Sequence, residues 1–550
     1  MTIMQSARAR AWLFFIVSCI LGALLYAPHL NAPLVFDDIN YFGSDYASRC
    51  GIGFHLDTPR WWPCFTFAVP RVLIGEDVQH FFRIGNLALH ILTVNALFLF
   101  LKMLYSALAP EAKNTDLIAA VSALIFLLHP ISLYATAYLV ERSTLMATLF
   151  TLLMLTAHLR GMKSRNPAWF LASVLFCYLA LYSKEHSVMA PFVALLLTIS
   201  LRDRNLPWRW LAFTFFAYVF LSLSVVYQVK AVIATSYEPY SAEILAQLAS
   251  EAPHSLYLTS VLSQTLYFFK YLFLWLVPVT KWMSIDMQQS ILDTPSLPLY
   301  WLTAFCFVAW CTAGFALVWK KGRPALLGFA ILAPALLFAT EFASIRIQEP
   351  FVLYRSYFWA PFLFSAMPLL LNEFKARHII LAGIVIAGLL SILTHEKLKT
   401  FDASYALWDD AIRLAERNDT KSPMLARMYY NRGLALLTDH HPQDALNDFN
   451  RAIGFSHNYI LAINGKGLAL MRLKRYAEAR ASFDQAISIK PDYVQSMVAR
   501  SEACSKMGDE VCADRDLKRA CNLGYSIACY YSDRRRHPEN KTYTIHFGKP

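Results

Sequence analysis

Long apolar segments separated by short polar connections fill the first 394 residues of the chain. Hydrophobic residues make up 57% of its 550 residues and charged residues only 16%, against roughly 25% charged residues in soluble proteins. Apolar stretches of about 18 residues or more predict membrane helices. We place spans at about 12–28, 84–105, 117–128, 143–159, 169–182, 187–201, 210–227, 301–319, 325–340, 358–371 and 379–393. The sequence therefore predicts an all-α, polytopic membrane domain over residues 1–394.

Basic residues lie in short clusters between these spans, such as Arg8 with Arg10, and Arg160 with Lys163 and Arg165. Clusters of this kind mark the cytoplasmic face, so the net charge of +12 indicates orientation, and we expect no nucleic-acid partner. Counting the apolar segment 257–278 as a crossing would put the later basic clusters outside. We therefore expect a re-entrant or interfacial helix there, within an outer loop at 228–298, and eleven crossings in total. The first outer loop, 29–83, and the chain after residue 394 then lie on the non-cytoplasmic side.

The composition changes after residue 394 to that of a soluble helical region. We divide this region into a linker helix at 395–422, repeats at 423–535 and a tail at 536–550. Small residues recur in it every 34 positions: Gly433 and Gly467; Ala445, Ala479 and Ala513; Ala452, Ala486 and Ala520. This period is the tetratricopeptide signature. Such helical hairpins stack into a curved surface that usually binds a protein or peptide. The alternative is a module that only packs against the membrane domain.

The ten cysteines fall into two groups. Four lie in apolar spans, where a free thiol behaves as a small hydrophobe. The other six lie in segments that we place outside: Cys50, Cys64, Cys504, Cys512, Cys521 and Cys529. An even number of cysteines in an oxidising compartment predicts disulfides, and the spacing of the last four resembles that of Sel1-like repeats. The alternative is buried free thiols in a cytosolic repeat.

A pair of acidic residues, Asp37 and Asp38, follows the first span directly. Two carboxylates at a membrane face cost several kcal/mol to desolvate. A chain that places them there usually needs them for binding or chemistry. The alternative is an ordinary interfacial loop whose acidic side chains face water.

Several short motifs in this order resemble those of the GT-C membrane glycosyltransferases, in particular the transmembrane, tetratricopeptide-containing protein O-mannosyltransferases and their bacterial relatives. The motifs are Phe36-Asp37-Asp38; Arg60 with Pro63; His80-Phe81-Phe82-Arg83; Asn86-Leu87-Ala88-Leu89-His90 with Asn95; Leu128-His129-Pro130 with Glu141-Arg142; Ser183-Lys184 ahead of Pro191; and Glu349 with Leu353-Tyr354-Arg355-Ser356. Together with the repeats, this resemblance covers nearly the whole chain. It implies a GT-C fold and transfer of a sugar, with inversion, from a polyprenyl-phosphate carrier to an acceptor hydroxyl on the non-cytoplasmic side.

The reaction implied by the resemblance needs two kinds of side chain. The acceptor hydroxyl must lose its proton as it attacks, and a positioned carboxylate can accept it. We expect Asp37 or Asp38 to be this general base, with the other orienting the acceptor or holding a divalent cation. We expect no other cofactor.

The leaving phosphate develops negative charge, which basic side chains stabilise. The candidates on the outer side are Arg355, Arg142, Arg83, Arg346, Arg60 and Lys270. Each of these is alternatively an interfacial anchor or an ion-pair partner. Further site candidates are Glu349, Tyr354, His90, Asn86 and Lys184. His90 is alternatively a helix-packing residue. The chain lacks a metal-ligand spacing of cysteines or histidines and a glycine-rich phosphate loop, which argues against a nucleotide-sugar or ATP-dependent enzyme.

Other functions fit parts of this pattern. Within the same fold, the sugar transferred is alternatively a pentose or aminosugar and the acceptor a glycan or lipid. A lipid-linked transporter would place charges near the bilayer midplane and show internal symmetry, which we do not find. A noncatalytic membrane scaffold built around the repeats leaves the acidic pair unexplained. We expect a bacterial inner-membrane protein with its active site and repeats in the periplasm, and a lipid-linked donor, membrane lipids and an exported protein acceptor as its partners.

Overall fold

The computed structural model describes residues 2–35, 38, 42, 58–75, 79–202, 206–233, 235, 255–288, 297–346, 349–418 and 425–536. Asp37 and Cys50 lie outside these residues. The described residues form α-helices and 3-10 turns, with no strand among them. The chain divides into two compact units, Met1–Ala403 and Ser404–Pro550. We describe each unit by itself.

The first unit is built from α-helices of very different lengths. These are α1 (Thr2–Tyr26), α2 (Trp61–Ile74), α3 (Gln79–Leu108), α4 (Thr115–Leu128), α5 (Ser132–Thr136), α6 (Arg142–Ser164), α7 (Pro167–Leu181), α8 (Ala190–Ser200), α9 (Trp208–Val229), α10 (Leu256–Leu276), α11 (Pro298–Val318), α12 (Gly322–Phe338), α13 (Met367–Leu371) and α14 (Ala376–Leu398). Short 3-10 turns extend several of them, at Leu139–Glu141, Glu185–Met189, Ala339–Ala343 and Leu353–Phe358.

Seven helical segments among the described residues are long and apolar enough to cross a membrane. They are Arg8–His29, His80–Leu108, Leu139–Ser164, Trp208–Val229, Pro298–Val318, Gly322–Ala343 and Ala376–Phe401. This finding supports an integral membrane protein. Four further apolar helices, at Thr115–Leu128, Pro167–Leu181, Glu185–Ser200 and Ala360–Leu371, have 17 residues or fewer. Because a span of the hydrocarbon core needs about 20 residues, eleven crossings stay a prediction.

Burial separates central from peripheral helices in this unit. In the most apolar window of Leu139–Ser164, 78% of the residues are buried, against 11% in Pro298–Val318. Leu139–Ser164 therefore lies at the centre and Pro298–Val318 at the rim. Small residues bring α11 and α12 together: a Cβ on Gly328 would lie 2.7 Å from the Gly314 carbonyl oxygen. Such close backbone approach is typical of packed membrane helices.

The ends of the helices gather on two sides of this unit. We call these sides the Asp116 end and the Glu341 end. At the Asp116 end, Lys102 near the end of α3 and Arg10 in α1 both pair with Asp116 in the first turn of α4, at 2.9 and 3.1 Å. The first residue of α12, Gly322, lies beside Leu108 there. Helices α4 and α12 therefore both start at the Asp116 end. They run toward the Glu341 end, where Glu341 follows α12.

Helix α10 contacts the Glu341 end at both of its own ends. Near its start, the Tyr257 hydroxyl donates to the Phe342 carbonyl at 2.9 Å, just beyond α12. In its last turn, the Trp275 ring stacks on His129, which follows α4, with centroids 4.2 Å apart. Leu256–Leu276 is not among the seven segments suited to cross a membrane. The re-entrant or interfacial helix stays a prediction, and both ends of α10 lie at the Glu341 end.

The two ends of α10 should face one side of the membrane. In a variant without the native free cysteines, we expect Ser255→Cys and Lys281→Cys to react with a membrane-impermeant maleimide from the same side, because both positions flank α10 at the Glu341 end. The reference is Lys163→Cys, in the last turn of α6, which should react only from the opposite side. Labelling of positions 255 and 281 from opposite sides would show that α10 crosses the membrane.

The second unit is a series of paired helices. They are α15 (Ser404–Arg417), α16 (Leu425–Thr438), α17 (Pro442–Phe455), α18 (Ile460–Arg472), α19 (Tyr476–Ile489), α20 (Val494–Lys506), α21 (Glu510–Asn522) and α22 (Ser526–Arg536). The expected linker helix at 395–422 corresponds to the end of α14, a short 3-10 turn and α15. Disulfides join Cys504 to Cys512 and Cys521 to Cys529, so α21 is bonded to the helix before it and to the helix after it.

The 34-residue period has a direct packing explanation. The buried ring of Phe449 lies against Gly433 and Gly465, and the ring of Phe483 lies against Gly467. A Cβ at Gly467 would lie 2.4 Å from the Phe483 ring, closer than carbon atoms can approach. The absence of a side chain therefore makes room for an aromatic ring between neighbouring helices.

An arginine-aspartate pair also recurs, two periods apart. Arg432 donates to both carboxylate oxygens of Asp448, at 2.7 and 2.8 Å, and Arg500 donates to both of Asp516, each at 2.7 Å. Such bidentate pairs fix geometry as well as adding energy. The hydrogen bonds to Asp516 raise the pKa of the Arg500 guanidinium above its usual value. The pairs join the two helices of one hairpin.

Gly467→Ala should destabilise the second unit by about 1–3 kcal/mol, because the new methyl group overpacks the buried Phe483 ring. The measurement is the free energy of unfolding of this unit, obtained by pulse proteolysis of the detergent-solubilised full chain. Gly454→Ala in α17 is the matched control: nothing lies within 4 Å of its added Cβ, so this variant should be neutral or slightly more stable. Equal stabilities for the two variants would refute the packing explanation.

Candidate functional site

A buried carboxylate, that of Glu341, lies at the centre of a charged cluster where α12 ends. Its side chain is 4% exposed. One oxygen lies 3.4 Å from Arg346 Nε and 3.5 Å from Arg355 Nη1, and the other lies 3.2 Å from His186 Nε2. Both arginines are buried as well. The 3-10 turn Ala339–Ala343 and two distant segments therefore meet at one carboxylate.

The cluster continues along the segment that follows Arg346. Arg355 Nη1 donates to the Glu349 carbonyl at 2.7 Å, and Arg355 Nη2 lies 3.5 Å from the Glu349 carboxylate. The Tyr354 hydroxyl donates to the same carboxylate at 2.8 Å. Glu349 thus connects a guanidinium to a phenol. Its carboxylate is 15% exposed and is more accessible than that of Glu341.

On the other side of His186 the cluster reaches the surface of the protein. The Nδ1 atom of His186 lies 3.8 Å from the Glu185 carboxylate. Arg60, in the turn before α2, donates through Nε to the same carboxylate at 2.9 Å and through Nη2 to its second oxygen. The Arg60 side chain is 47% exposed. This pair therefore forms the solvent-exposed side of the cluster.

A second buried pair, Lys184 with Glu141, adjoins the first group. Lys184 Nζ donates to Glu141 at 2.9 Å and to the Thr144 hydroxyl at 2.6 Å, and lies 5.7 Å from the centre of the Tyr354 ring. Attraction between an ammonium and an aromatic face is significant at this distance. Tyr354 therefore touches both groups, and we treat them as one set.

We call this set the Glu341 network. Among the described residues, its charged members are the cations Arg60, Lys184, Arg346 and Arg355 and the carboxylates Glu141, Glu185, Glu341 and Glu349. His186 also belongs to the network, and its charge depends on its protonation state. These residues come from five segments of the chain that lie at the ends of helices. Such convergence of cations with carboxylates suits recognition of a charged, polar ligand.

Asp38 holds the segment that carries Glu141. Its two carboxylate oxygens accept from the backbone N–H groups of Leu139 and Val140, at 3.3 and 2.9 Å. These N–H groups belong to the first turn before α6, where a helix leaves its donors without partners. Asp38 is fully buried. It therefore fixes the start of α6 and, through the adjoining residues, one side of the Glu341 network.

Arg83 and Arg142 are bound mainly to backbone carbonyls. Arg83 donates to the carbonyls of Ala32, Pro33 and Ala137, the first at 3.1 Å and the last at 2.8 Å. Arg142 donates to the carbonyls of Phe82 at 2.6 Å and Thr66 at 3.1 Å, and to the Asn86 side chain at 2.8 Å. Their guanidinium groups hold connecting segments together. Their expected role as phosphate ligands stays a prediction, and the geometry favours other residues for it.

His90 makes two internal hydrogen bonds. Its Nδ1 lies 2.7 Å from the Tyr357 hydroxyl and its Nε2 lies 3.1 Å from the Leu127 carbonyl. Because a carbonyl oxygen can only accept, Nε2 donates to it, and in the neutral imidazole Nδ1 then accepts from the phenol. The ring is fully buried. This arrangement matches the helix-packing alternative for His90.

Lys270, on α10, differs from the other predicted cations. Its ammonium lies 4.7 Å from the centre of the Phe351 ring. Within the described part of the chain it has no carboxylate within ion-pair distance. Phe351 lies between Glu349 and Arg355, so Lys270 is next to the segment that contributes to the Glu341 network. It is the predicted phosphate ligand with the most capacity for a new anion.

Several members of the network were not predicted: Glu141 as a functional residue, Glu185, His186 and Glu341. The tetrapeptide Ser183-Lys184-Glu185-His186 between two apolar spans was a usable signal, since three charged or titratable residues there are costly. Glu341, a single acidic residue at the end of a span, carries the same signal more weakly. A buried aspartate, Asp286, also lies in the segment after α10.

The structure offers little basis for a metal site among the described residues. Cys504, Asp509 and Cys512 come close enough together to hold an ion, but both sulfur atoms belong to a disulfide. Cys64 is also disulfide-bonded; Cys50, the other disulfide candidate of the first outer loop, lies outside the described residues. The expected cation ligand Asp37 lies outside them too.

Comparison with known families identifies the repeats. The family model of the tetratricopeptide repeat matches residues 460–493, which contain α18 and α19. The predicted repeat is thereby confirmed for this hairpin. Tetratricopeptide repeats are typical of protein–protein interaction. No curated protein matches the chain in sequence.

Removing the central charge of the network should cost far more stability than removing an outer one. We expect Glu341→Gln to lower the free energy of unfolding in detergent by about 3–5 kcal/mol, because it leaves buried guanidinium groups without their shared carboxylate. The comparison variant is Arg60→Gln, whose ion pair is half exposed and worth at most about 1 kcal/mol. Similar losses for the two variants would show that Glu341 does not hold the network together.

Proposed function

We propose that the chain is a membrane glycosyltransferase of the GT-C type. It moves a sugar from a polyprenyl-phosphate carrier to an acceptor hydroxyl on an exported protein, at the non-cytoplasmic face, with inversion. The observation that carries the proposal is the Glu341 network: buried guanidinium and ammonium groups gathered where helices end in a unit suited to the membrane. A lipid phosphate carries its charge at the boundary of the bilayer, where membrane helices end, and its hydrocarbon chain lies in the bilayer.

Arg346, Arg355 and Lys270 are the proposed phosphate ligands. The two arginines already meet at Glu341 and carry donors in the planar arrangement that binds phosphate oxygens. Lys270 adds a point charge from α10, next to Phe351. As the bond between sugar and phosphate breaks, negative charge grows on the phosphate. Donors fixed beforehand by the network stabilise that charge without reorganisation.

Asp37 is the proposed general base and Asp38 a positioning residue. Asp38 is fully buried and both of its oxygens accept backbone N–H groups at the start of α6. A carboxylate bound in this way serves to hold structure. The neighbouring Asp37 then remains for the acceptor proton, and Glu349, partly exposed and bonded to Tyr354, orients the sugar or acceptor through hydrogen bonds.

The repeat unit is the proposed site for the protein acceptor. Its match to the tetratricopeptide family supports binding of a protein or peptide. Its two disulfides support an oxidising compartment, such as the bacterial periplasm. With the predicted eleven crossings and cytoplasmic N-terminus, the repeats would lie on the side of the membrane where the sugar is transferred.

The repeat match also favours a second candidate function, a noncatalytic membrane scaffold that binds proteins. In that case the Glu341 network serves stability alone. Transfer of a pentose or aminosugar to a glycan or lipid uses the same site with another acceptor.

Asp37→Asn should abolish sugar transfer while leaving membrane insertion and thermal stability unchanged, because it removes only the proton acceptor. Asp38→Asn should lower stability by about 1–3 kcal/mol, because it removes charge-assisted bonds to Leu139 and Val140. The measurements are mass spectrometry of exported proteins from cells that produce each variant, and unfolding of the purified chain in detergent. Glycosylation that persists in Asp37→Asn, or that is identical with and without the chain, would leave the scaffold as the function.

A further inference from the structure

The Glu341 network contains one group whose charge is not matched. Four cations face four carboxylates among the described residues, as named above, so these eight side chains together carry no net charge. His186 is the ninth titratable member. With a neutral imidazole the network is neutral, and with an imidazolium it carries one positive charge. The protonation state of His186 thus decides whether these nine side chains are neutral or carry one positive charge.

Two carboxylates flank the ring of His186. Both of its nitrogens are buried and neither forms a hydrogen bond with a described residue. Carboxylates lie on both sides of the ring: Glu341 at 3.2 Å from Nε2 and Glu185 at 3.8 Å from Nδ1. A neutral imidazole has a proton on one nitrogen only, so a lone pair faces a carboxylate. An imidazolium has a proton toward each.

Other charges in the network oppose that proton. Arg60 neutralises Glu185 from the turn before α2, and Arg346 and Arg355 neutralise Glu341 from the segment after α12. Lys184 precedes Glu185 in its own turn and is paired with Glu141. Glu349 lies beyond Arg355. Because each carboxylate beside His186 already has a cation, a nearby new anion changes the balance in favour of protonation.

The proposed reaction supplies such an anion. The sugar donor is a phosphate diester with one negative charge. In the transfer, the acceptor oxygen forms a bond to the anomeric carbon, and the bond from that carbon to the phosphate oxygen breaks with its electron pair going to the phosphate. The product is a phosphate monoester, which carries nearly two negative charges at neutral pH. The acceptor hydroxyl releases one proton in the same step.

We infer that His186 takes up one proton when a polyprenyl phosphate monoester occupies the Glu341 network. The proton released by the acceptor hydroxyl goes to Asp37, and His186 takes a second proton from solvent, so the network gains one positive charge as the phosphate gains one negative charge. His186 acts as a positioning residue for the product charge, and Asp37 remains the base for the acceptor. This inference rests on the proposed function, since it takes the network as the phosphate site.

The consequence is that binding of the phosphate is coupled to uptake of a proton. Bound phosphate raises the proton affinity of His186, so ligand binding takes up a proton at a pH between the free and bound titration points. In that range, affinity for the monoester weakens about tenfold for each unit of pH increase. Removal of the imidazole removes the share of both effects that His186 supplies. Lys270, whose pKa is lowered by burial, keeps its own share.

The test is calorimetry of farnesyl phosphate binding to the detergent-solubilised full chain at pH 7.5–8.5, where this probe is already a dianion. Titrations in two buffers with different ionisation enthalpies give the number of protons taken up. We expect the wild-type chain to take up more protons than His186→Gln, with a difference approaching one, because a proton gained by Lys270 is gained by both chains. The affinity of His186→Gln should change less with pH than that of the wild type. His378→Gln, in the first turn of α14 at the Asp116 end, should behave as the wild type.

The possible results distinguish the role of His186 from the phosphate site itself. Tight binding without proton uptake in the wild type, or unchanged uptake in His186→Gln, overturns the role of His186 and leaves the phosphate site in place. This first result needs no variant, so it stands even if His186→Gln misfolds. Absence of farnesyl phosphate binding by the wild type overturns both the role of His186 and the phosphate site.

Discussion

The contact between Glu341 and the cations around it is the interaction on which the structure of the membrane unit depends most. A carboxylate 4% exposed at the end of a membrane helix is costly to desolvate, by several kcal/mol, unless cations surround it. Here Arg346, Arg355 and His186 lie within 3.5 Å. Because these residues come from separate segments, the electrostatic requirement of one side chain fixes three pieces of backbone against the end of α12.

Arginines elsewhere in the unit achieve a similar result with neutral acceptors. Arg83 and Arg142 donate to backbone carbonyls of segments that connect the helices. Carbonyls at such positions lack water at membrane depth and would otherwise be unsatisfied. A guanidinium has five donors in one plane, so it can bind several carbonyls at once. Basic residues at this end therefore serve two purposes, which sequence alone does not separate: one group stabilises the connections and another faces the candidate site.

The features that were predictable from sequence are periodic or compositional. They are the apolar segments, the 34-residue repeat and the cysteines eight positions apart. Each follows from a local sequence pattern, and packing explains the pattern: Gly467, for example, makes room for the Phe483 ring. The site was predictable only in part. Asp38 and Arg355 were expected, but Glu341 was not, because its partner His186 is 155 positions earlier in the chain and no local pattern connects them. The expected role of Arg83 rested on its charge, whereas its role in the structure is set by which carbonyls lie nearby.

If the Glu341 network binds the phosphate as proposed, the pairing of each of its cations with a carboxylate favours release of the product. If Arg346 and Arg355 faced an empty cavity without Glu341, a phosphate monoester would bind to two uncompensated guanidinium groups and leave slowly. The carboxylate competes with the phosphate for the same donors, so the site binds an anion only as strongly as the difference between the two interactions. The same carboxylate keeps the guanidinium groups in place before the substrate arrives. Under the proposed function, pre-organisation and release would both depend on Glu341, and the inferred proton on His186 would shift the balance toward the phosphate.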